Sequence, residues 1–475
     1  MWHHYAVTRN RGLYLVAPKV TPVLDPGFRP AALANRAFGQ LARESGAAVP
    51  VAVAVEQADG SAFHFATEIL PDRHPQAAAN LVYLERWLKL LLWSRGGWRV
   101  HFAGPAALAE ALQKHYREQP TGRFDADIMG ARVYERPFEV VLCRPEDLPP
   151  ERATTQPLGR HWNGCRIGFD LGGSDRKVAA VRDGEPVFTE EVAWDPTPQA
   201  DPQYHFDQIT DSLKRAAGHL PRVDAIGGSA AGIYVNNRVK VASLFRGVPA
   251  ELFQRRVKNL FLEIKQAWGG IPLEVVNDGE VTALSGAMAL GANAVLGIAL
   301  GTSTAGGYVT PEGNITSWLN ELAFVPVDYS PAASVDEWSG DYGCGAKYFS
   351  QQCVGRLAAV AGIEVDPKTP LPETLKQVQQ LMLAGDYRAR KIYQTIGAYL
   401  GYALAHYAQF YQFSHVLILG RVTSGPGGDL IVAGAKEVLE TEFPELAERV
   451  AFHVPDEKEK RHGQAIAAAS LPVVP

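Results

Sequence analysis

The residues best suited to chemistry lie in a glycine-rich turn between two apolar segments, within 166–181. Gly172 and Gly173 have no Cβ, so the backbone of this turn can approach a ligand closely. Asp170 ends the first predicted strand, where its carboxylate could hold a cation. This combination suits a nucleoside triphosphate with its magnesium, although a short Gly-Gly turn by itself is more often a plain hairpin.

A second turn of the same kind lies at 296–309, where Gly301 and Thr302 follow an apolar segment. Two strand–turn–strand units in one chain indicate a duplicated fold whose halves face each other across a cleft. Between them, a short apolar segment ends in Asn277 and Asp278. Ligands of α/β sheets gather at the carboxyl ends of the strands, so Asp278 is a candidate catalytic carboxylate. A plain Asn-Asp-Gly turn without chemistry explains the same residues.

The composition is that of a globular protein with a large core. Of the 475 residues, 47% are hydrophobic and 20% are charged, and the formal net charge is −5. This charge balance argues against a general nucleic-acid binder. We find neither the apolar core of a signal peptide near the N-terminus nor an apolar run that could span a bilayer, which predicts a cytoplasmic protein without a membrane partner.

The pattern of strands and helices divides the chain into three predicted domains. Residues 1–160 mix helical and strand periodicity and end in a Pro/Arg-rich stretch of linker character, which predicts an N-terminal α+β domain of unknown role. Strands alternating with helices predict an α/β fold for the remainder. Residues 161–292 are expected to form a first lobe, which carries the first turn and Asp278. Residues 293–475 are expected to form a second lobe.

The second lobe contains a further glycine-rich turn after the predicted strand 415–420. Gly420 and Gly425 lie in this strand-to-helix turn, which suits the flat face of a nucleoside. The last predicted helix, 463–471, is rich in alanine, which favours close packing. We expect this helix to return to the first lobe.

Five features in order resemble the ROK family of sugar kinases and sugar-responsive repressors, whose superfamily has the actin, hexokinase and Hsp70 ATPase fold. The features are Asp170–Ser174, Asn277–Asp278, Leu300–Thr302, Asn320–Phe324 and Leu419–Gly420. The similarity covers residues 166–475. It implies a duplicated actin-like (ribonuclease H-like) α/β fold of two lobes, with ATP and Mg²⁺ in the cleft. It also implies phosphorylation of a hydroxyl group on a sugar or related polyol by the γ-phosphate of ATP.

The resemblance assigns a role to each matching residue. Asp278 matches the catalytic base, Asn277 and Glu321 match sugar-binding residues, and Asp170 matches the aspartate that organises Mg²⁺, through water. The implied nucleotide-binding residues are Asp170, Gly172, Gly173, Ser174, Lys177, Gly301, Thr302, Gly420 and Gly425. The first turn is expected to be about two residues longer than in the family, with an insertion at 175–176 before Lys177.

The departures from the family pattern affect the acceptor side. Phe324 stands where the family has the histidine of its Glu-x-Gly-His motif, and Ala346 stands where it has another sugar-binding glutamate. The segment 337–344, which corresponds to the zinc knuckle, keeps a single cysteine, Cys344. Because a structural zinc site needs about four ligands, we predict that no zinc is bound.

Three functions remain open at this point. The leading hypothesis is an ATP- and magnesium-dependent kinase that acts on a carbohydrate or polyol. The second is a non-catalytic regulator that binds a sugar or nucleotide in the same cleft. Because residues 1–160 show no helix-turn-helix pattern, we expect no nucleic acid as a partner. The third is a kinase with a non-carbohydrate acceptor or a different phosphate donor. Homodimers are common in the resembled family, and the sequence identifies no interface.

Overall fold

The computed structural model describes residues 13–152, 155–156, 158–455 and 462–474. The segment 1–9, which was used to predict the absence of a signal peptide, lies outside these residues. Within the described ranges, no helix combines the length and apolar character that a membrane crossing requires.

A four-stranded sheet forms the centre of the N-terminal part. Its strands are β1 (Val49–Glu56), β2 (Ala62–Ile69), β3 (Arg99–Ala103) and β4 (Glu139–Leu142), in the order β2-β1-β3-β4. The helices are α1 (Ala31–Glu44), α2 (Ala79–Arg95), α3 (Ala106–Glu118) and α4 (Pro120–Ala126). Nearly every side chain of α2 is buried, as expected for a helix with apolar residues on all faces that lies inside a core.

The first lobe contains a five-stranded sheet of order β12-β9-β6-β7-β8. The strands from 155 to 277 are β5 (Thr155–Gln156), β6 (Cys165–Leu171), β7 (Asp175–Arg182), β8 (Glu185–Ala193), β9 (Ala225–Ala230), β10 (Ile233–Val235), β11 (Arg238–Val241) and β12 (Leu273–Asn277). Of these, β10 and β11 form a separate hairpin, and β5 joins the second sheet. The helices are α5 (Pro202–Ala217), α6 (Ala250–Leu252), α7 (Leu260–Ala267) and α8 (Asp278–Leu290).

The second lobe contains a six-stranded sheet of order β17-β16-β13-β14-β15-β5. Its own strands are β13 (Val295–Leu300), β14 (Thr304–Val309), β15 (Ile315–Thr316), β16 (His415–Leu419) and β17 (Ala451–His453). The remaining helices are α9 (Gln351–Val360), α10 (Leu371–Leu383), α11 (Tyr387–Tyr407), α12 (Pro426–Glu442), α13 (Pro444–Ala447) and α14 (Gly463–Ala469).

The two sheets repeat one arrangement. In each sheet the first strand, β6 or β13, pairs antiparallel with the next strand along the chain and parallel with β9 or β16. In each, a further parallel strand, β12 or β17, lies beyond that one. The predicted duplication is therefore present in the strand order itself.

The C-terminal helix α14 packs on the sheet of the first lobe. A Cβ on Gly168 of β6 would lie 1.8 Å from the carbonyl oxygen of Ala465, and one on Gly227 of β9 would lie 1.7 Å from that of Ala468. Only glycine permits this approach of helix to strand.

The N-terminal part packs against the second lobe. Its buried apolar side chains form one continuous hydrophobic cluster with those of the second lobe. The ring of Phe28, for example, lies 4.7 Å from that of Tyr399, and Trp87 on α2 lies 5.4 Å from Phe410. The domain boundary at residue 160 stays a prediction, but the two parts share a core.

Candidate active site

The first glycine-rich turn is a three-residue hairpin, 172–174, that joins β6 to β7. The N–H of Gly172 donates to the carbonyl of Asp175 at 2.9 Å, so this group closes the hairpin. A Cβ on Gly173 would meet no heavy atom of the described residues within 4 Å, which leaves that face of the turn open to a ligand. Backbone groups that could cradle a phosphate are therefore those of Gly173 and Ser174.

The expected lengthening of this turn is wrong. The strand register pairs Leu171 with Arg176 and Asp170 with Lys177, so residues 175 and 176 begin β7. Arg176 is buried, and its guanidinium donates to the side chain of Gln208 on α5 at 2.9 Å. Arg176 therefore fixes the sheet to α5 and does not face the cleft.

A compact group of charges lies at the base of the first turn. Ser229 Oγ donates to Asp170 Oδ1 at 2.6 Å. Lys177 Nζ lies 2.8 Å from the carboxylate of Asp175 and 3.6 Å from that of Asp170. Burial raises the pKa of Asp170. The carboxylates supply the oxygen ligands that magnesium prefers, and Lys177 supplies a positive charge for a phosphate.

The predicted base, Asp278, is the first residue of α8, directly after β12. Burial, with the negative charge of Asp170 as the next cause, raises the pKa of Asp278 to about 6. Asp278 Oδ1 accepts from the N–H of Gly279 at 3.0 Å. The carboxylate thus lies at the carboxyl end of a parallel strand, within electrostatic reach of the first turn.

The side chain of Asn277 caps α8. Its Oδ1 accepts from the N–H of Gly279 at 2.7 Å, and its Nδ2 donates to the carbonyl of Gly232 at 2.7 Å. Each end of the amide keeps one further hydrogen-bonding position, so Asn277 can both hold the turn and contact a ligand.

Glu321 faces the same cleft from the second lobe. Burial, followed by the negative charge of Asp278, raises the pKa of Glu321 to about 7. The structure therefore brings Asp170, Asp278 and Glu321 together, although they are far apart in the sequence. Opposed carboxylates with raised pKa values are typical of catalytic sites.

The second turn, 301–303, and the predicted nucleoside loop lie side by side. The carbonyl of Gly301 accepts from the N–H of Gln351 at the start of α9 at 2.9 Å, and Thr302 is exposed. Gly420 has φ 102°, and a Cβ there would lie 2.4 Å from the carbonyl oxygen of Leu300, at the end of β13. Gly425, with φ 71°, precedes α12. These residues form the wall opposite the first turn.

Arg421 is a candidate ligand-binding residue that the sequence reasoning missed. It directly follows Gly420 and is exposed. Partial burial acts to raise the pKa of Asp175. Hydrogen bonds from Lys177 and Ser174, together with the positive charges of Lys177 and Arg421, outweigh this and lower the pKa below its ordinary value. An interaction between Asp175 of the first lobe and Arg421 of the second means that the two walls approach each other. The sequence feature that could have indicated this role is an arginine immediately after the glycine of a strand-to-helix turn.

Of the residues that replace the family's acceptor contacts, Ala346 is buried and Phe324 is half-buried. The ring of Phe324 stacks on that of Trp93 at 4.1 Å, and Ala346 and Cys344 are in the core. In the described part of the chain there is no group of three or more His, Cys, Asp or Glu residues that could hold a metal ion. The absence of zinc stays a prediction.

The fold and these two walls define a protein of the actin-like two-lobed class, as predicted. A ROK hexokinase from Thermus thermophilus has 18% sequence identity and a TM-score of 0.51, over 64% of this chain and 96% of that one. A ROK family transcriptional regulator, described as a homolog of the E. coli MLC protein, has 17% identity and a TM-score of 0.50, over 65% of this chain and 78% of that one. At these identities the similarity shows the fold. No protein-family model matches the sequence, and no curated protein matches it.

Proposed function

We propose that the chain is a ROK-type phosphotransferase, which transfers the γ-phosphate of ATP to a hydroxyl of a sugar or related polyol. The observation that carries this proposal is the position of the Asp278 carboxylate, which lies at the junction of β12 and α8 and interacts electrostatically with Asp170 and Glu321. Burial, followed by the negative charge of Asp170, raises its pKa to about 6. A sugar hydroxyl is a poor nucleophile, and a carboxylate that accepts its proton typically contributes about 10²–10⁴ in rate. A carboxylate with a pKa of about 6 is ionised at neutral pH and is more basic than an ordinary aspartate.

The nucleotide would lie between the two turns. Backbone groups of the first turn and of Gly301–Thr302 would contact the phosphates, and the loop from Gly420 to Gly425 would face the adenosine. Lys177 and Arg421 are the nearby positive charges, from the two opposite walls. Phosphoryl transfer depends mainly on positioning and charge stabilisation, which such a clamp supplies.

Magnesium fits the carboxylates at the base of the first turn. Asp170 is held by Ser229 and lies beside Lys177, so it is oriented before any ion arrives. We propose that Asp170 organises Mg²⁺ through water. When bound, the ion would neutralise charge on the phosphates.

Glu321 is the proposed acceptor contact, assisted by the remaining hydrogen-bonding positions of Asn277. Since Phe324 and Ala346 cannot donate or accept side-chain hydrogen bonds, the acceptor site differs from the pattern of the resembled family. The proposal therefore names the class of acceptor, a carbohydrate or polyol, and no single sugar.

The test is ADP release, coupled to a spectrophotometric assay, over a panel of carbohydrates and polyols. We expect at least one acceptor to stimulate ADP release, and the Asp278→Asn variant to lose about 10²–10⁴ of kcat for that acceptor. Asp207→Asn, a substitution of an exposed aspartate on α5, is the matched control and should leave kcat unchanged. Equal turnover by Asp278→Asn would disprove the role of Asp278 as the base.

The second candidate is a regulator that binds its ligand without turnover. It is supported by the transcriptional regulator with the same fold and a TM-score of 0.50, nearly that of the hexokinase. In that case calorimetry would detect carbohydrate or nucleotide binding while no acceptor stimulated ADP release. This outcome would replace the kinase proposal.

A further inference from the structure

Backbone hydrogen bonds join the N-terminal part of the chain to the segment that carries Glu321. The N–H of Glu321 donates to the carbonyl of Trp93 at 2.9 Å, and the N–H of Asn320 donates to the carbonyl of Ser94 at 3.0 Å. Both carbonyls belong to the last turn of α2, which ends at Arg95. The last four carbonyls of a helix have no partner within the helix, so the Glu321 segment satisfies two that would otherwise need other partners.

The side chain of Asn320 holds the same segment from two further elements. Asn320 is buried and has φ 50°, a left-handed conformation that few residues other than glycine and asparagine adopt readily. Its Nδ2 donates to Oε1 of Glu280 on α8, and its Oδ1 accepts from the hydroxyl of Tyr411 at 2.6 Å. The residue next to Glu321 is therefore fixed in both backbone and side chain.

Phe324, three residues after Glu321, extends this contact with α2. Its ring stacks on that of Trp93, with 4.1 Å between the centroids and 28° between the planes. Trp93 is itself held, because its indole Nε1 donates to Asp125 Oδ1 at 2.8 Å. The aromatic pair links the acceptor side of the cleft to the core of the N-terminal part.

Buried ion pairs tie the segment 337–344 to the same helix. Arg86 on α2 donates to both oxygens of Asp341, at 2.9 and 3.2 Å. Lys89, one turn further along α2, lies 3.1 Å from Asp341 and 2.9 Å from Asp125. Burial opposes ionisation of Asp341, but Arg86 and Lys89 hold its pKa well below the ordinary value. Such buried pairs fix relative positions because separating one partner leaves an unpaired charge.

From these contacts we infer that the C-terminal turn of α2 is the positioning element of the acceptor side of the cleft. This inference rests on the proposed function. Through the carbonyls of Trp93 and Ser94 and the ring of Trp93, α2 sets where the carboxylate of Glu321 lies relative to Asp278. The N-terminal part is then a component of the site and not an independent module. Disturbing it should weaken acceptor binding while leaving the nucleotide side unchanged.

The first test uses Asn320→Gly in the full-length protein. Glycine accepts the left-handed conformation, so the variant removes only the side-chain bonds to Glu280 and Tyr411. We expect the KM for the acceptor to rise by about 10- to 100-fold, since small misplacements of a positioning group have effects of this size. The KM for ATP should stay within about twofold. Asn236→Gly, at an exposed left-handed asparagine in the β10–β11 hairpin, is the matched control.

The second test addresses α2 directly. Trp93→Ala removes the ring against Phe324 and should raise the acceptor KM, whereas Trp93→Phe keeps a ring there and should restore most of the affinity. Thermal unfolding of each variant separates stability from affinity. A fall in the unfolding midpoint with an unchanged acceptor KM for both Asn320→Gly and Trp93→Ala, measured below that midpoint, would mean a purely structural contact and would overturn the inference.

The wild-type protein distinguishes failure of this inference from failure of the proposed function. Stimulation of ADP release by an acceptor in the wild type establishes the function, and the variants then test the role of α2. If no acceptor is turned over but a carbohydrate binds, the dissociation constant from calorimetry replaces KM in the same comparison. If the wild type neither turns over nor binds any carbohydrate, both the proposed function and the inference are wrong.

Discussion

The pH dependence of the reaction tests the catalytic assignment, because the raised pKa of Asp278 gives the direction of the change. Asp278 must be ionised to accept a proton, and its pKa is raised to about 6. We therefore expect kcat/KM of the wild type to rise with pH through about 6 and to level off above it. Below this value the ionised fraction, and with it the rate, falls about tenfold per pH unit.

The Asp278→Asn variant should lose both the rate and this acidic limb. The expected loss at pH 8 is about 10²–10⁴ in kcat. Burial and the negative charge of Asp278 raise the pKa of Glu321 to about 7. Since Asp278→Asn removes that negative charge, the pKa of Glu321 should be lower in the variant. In the wild type the two carboxylates interact, so the two apparent pKa values of the profile belong to the pair.

The assay is ADP release at saturating ATP and varied acceptor, from pH 5 to pH 9 in buffers of constant ionic strength. Asp207→Asn, with an exposed aspartate on α5, again serves as the control and should retain the wild-type profile. The reasoning is refuted if Asp278→Asn keeps an acidic limb with the wild-type midpoint and loses less than about tenfold in rate, because another group would then be the base.

Two further predictions concern stability. Gly420→Ala should lower the free energy of unfolding by at least about 2 kcal/mol, because a Cβ at φ 102° would lie 2.4 Å from the carbonyl oxygen of Leu300. Gly425→Ala has open space around it among the described residues, so it should lower the free energy of unfolding by less. Denaturant unfolding of the two variants measures this difference. Burial raises the pKa of Glu280 to about 8 from 4.5, so its contribution to stability is complete below about pH 4.5 and is lost as the pH rises through 8. Glu280→Gln cannot ionise, and its stability relative to the wild type should increase by a few kcal/mol between pH 5 and pH 8; a pH-independent difference in urea unfolding would contradict this.

The sequence alone determined the fold class and the order of the candidate site residues. Glycine turns between apolar segments are local features, and the turns around Gly172 and Gly301 could be predicted from their neighbours. Asn277 and Asp278 were predictable for the same reason, because they follow a short apolar strand. A local pattern specifies what a segment is, and the repeat of one pattern indicated the duplication.

The tertiary structure decided which of these segments meet and what holds them. No local pattern indicated that Trp93 would contact Phe324, or that carbonyls of α2 would bind the N–H groups of Asn320 and Glu321, because these partners lie far apart in the sequence. For the same reason Arg176 was misplaced in a longer turn, whereas strand pairing puts it in β7. The periodicity of a sequence reports the faces of single elements, and contacts between distant elements depend on how the whole chain packs.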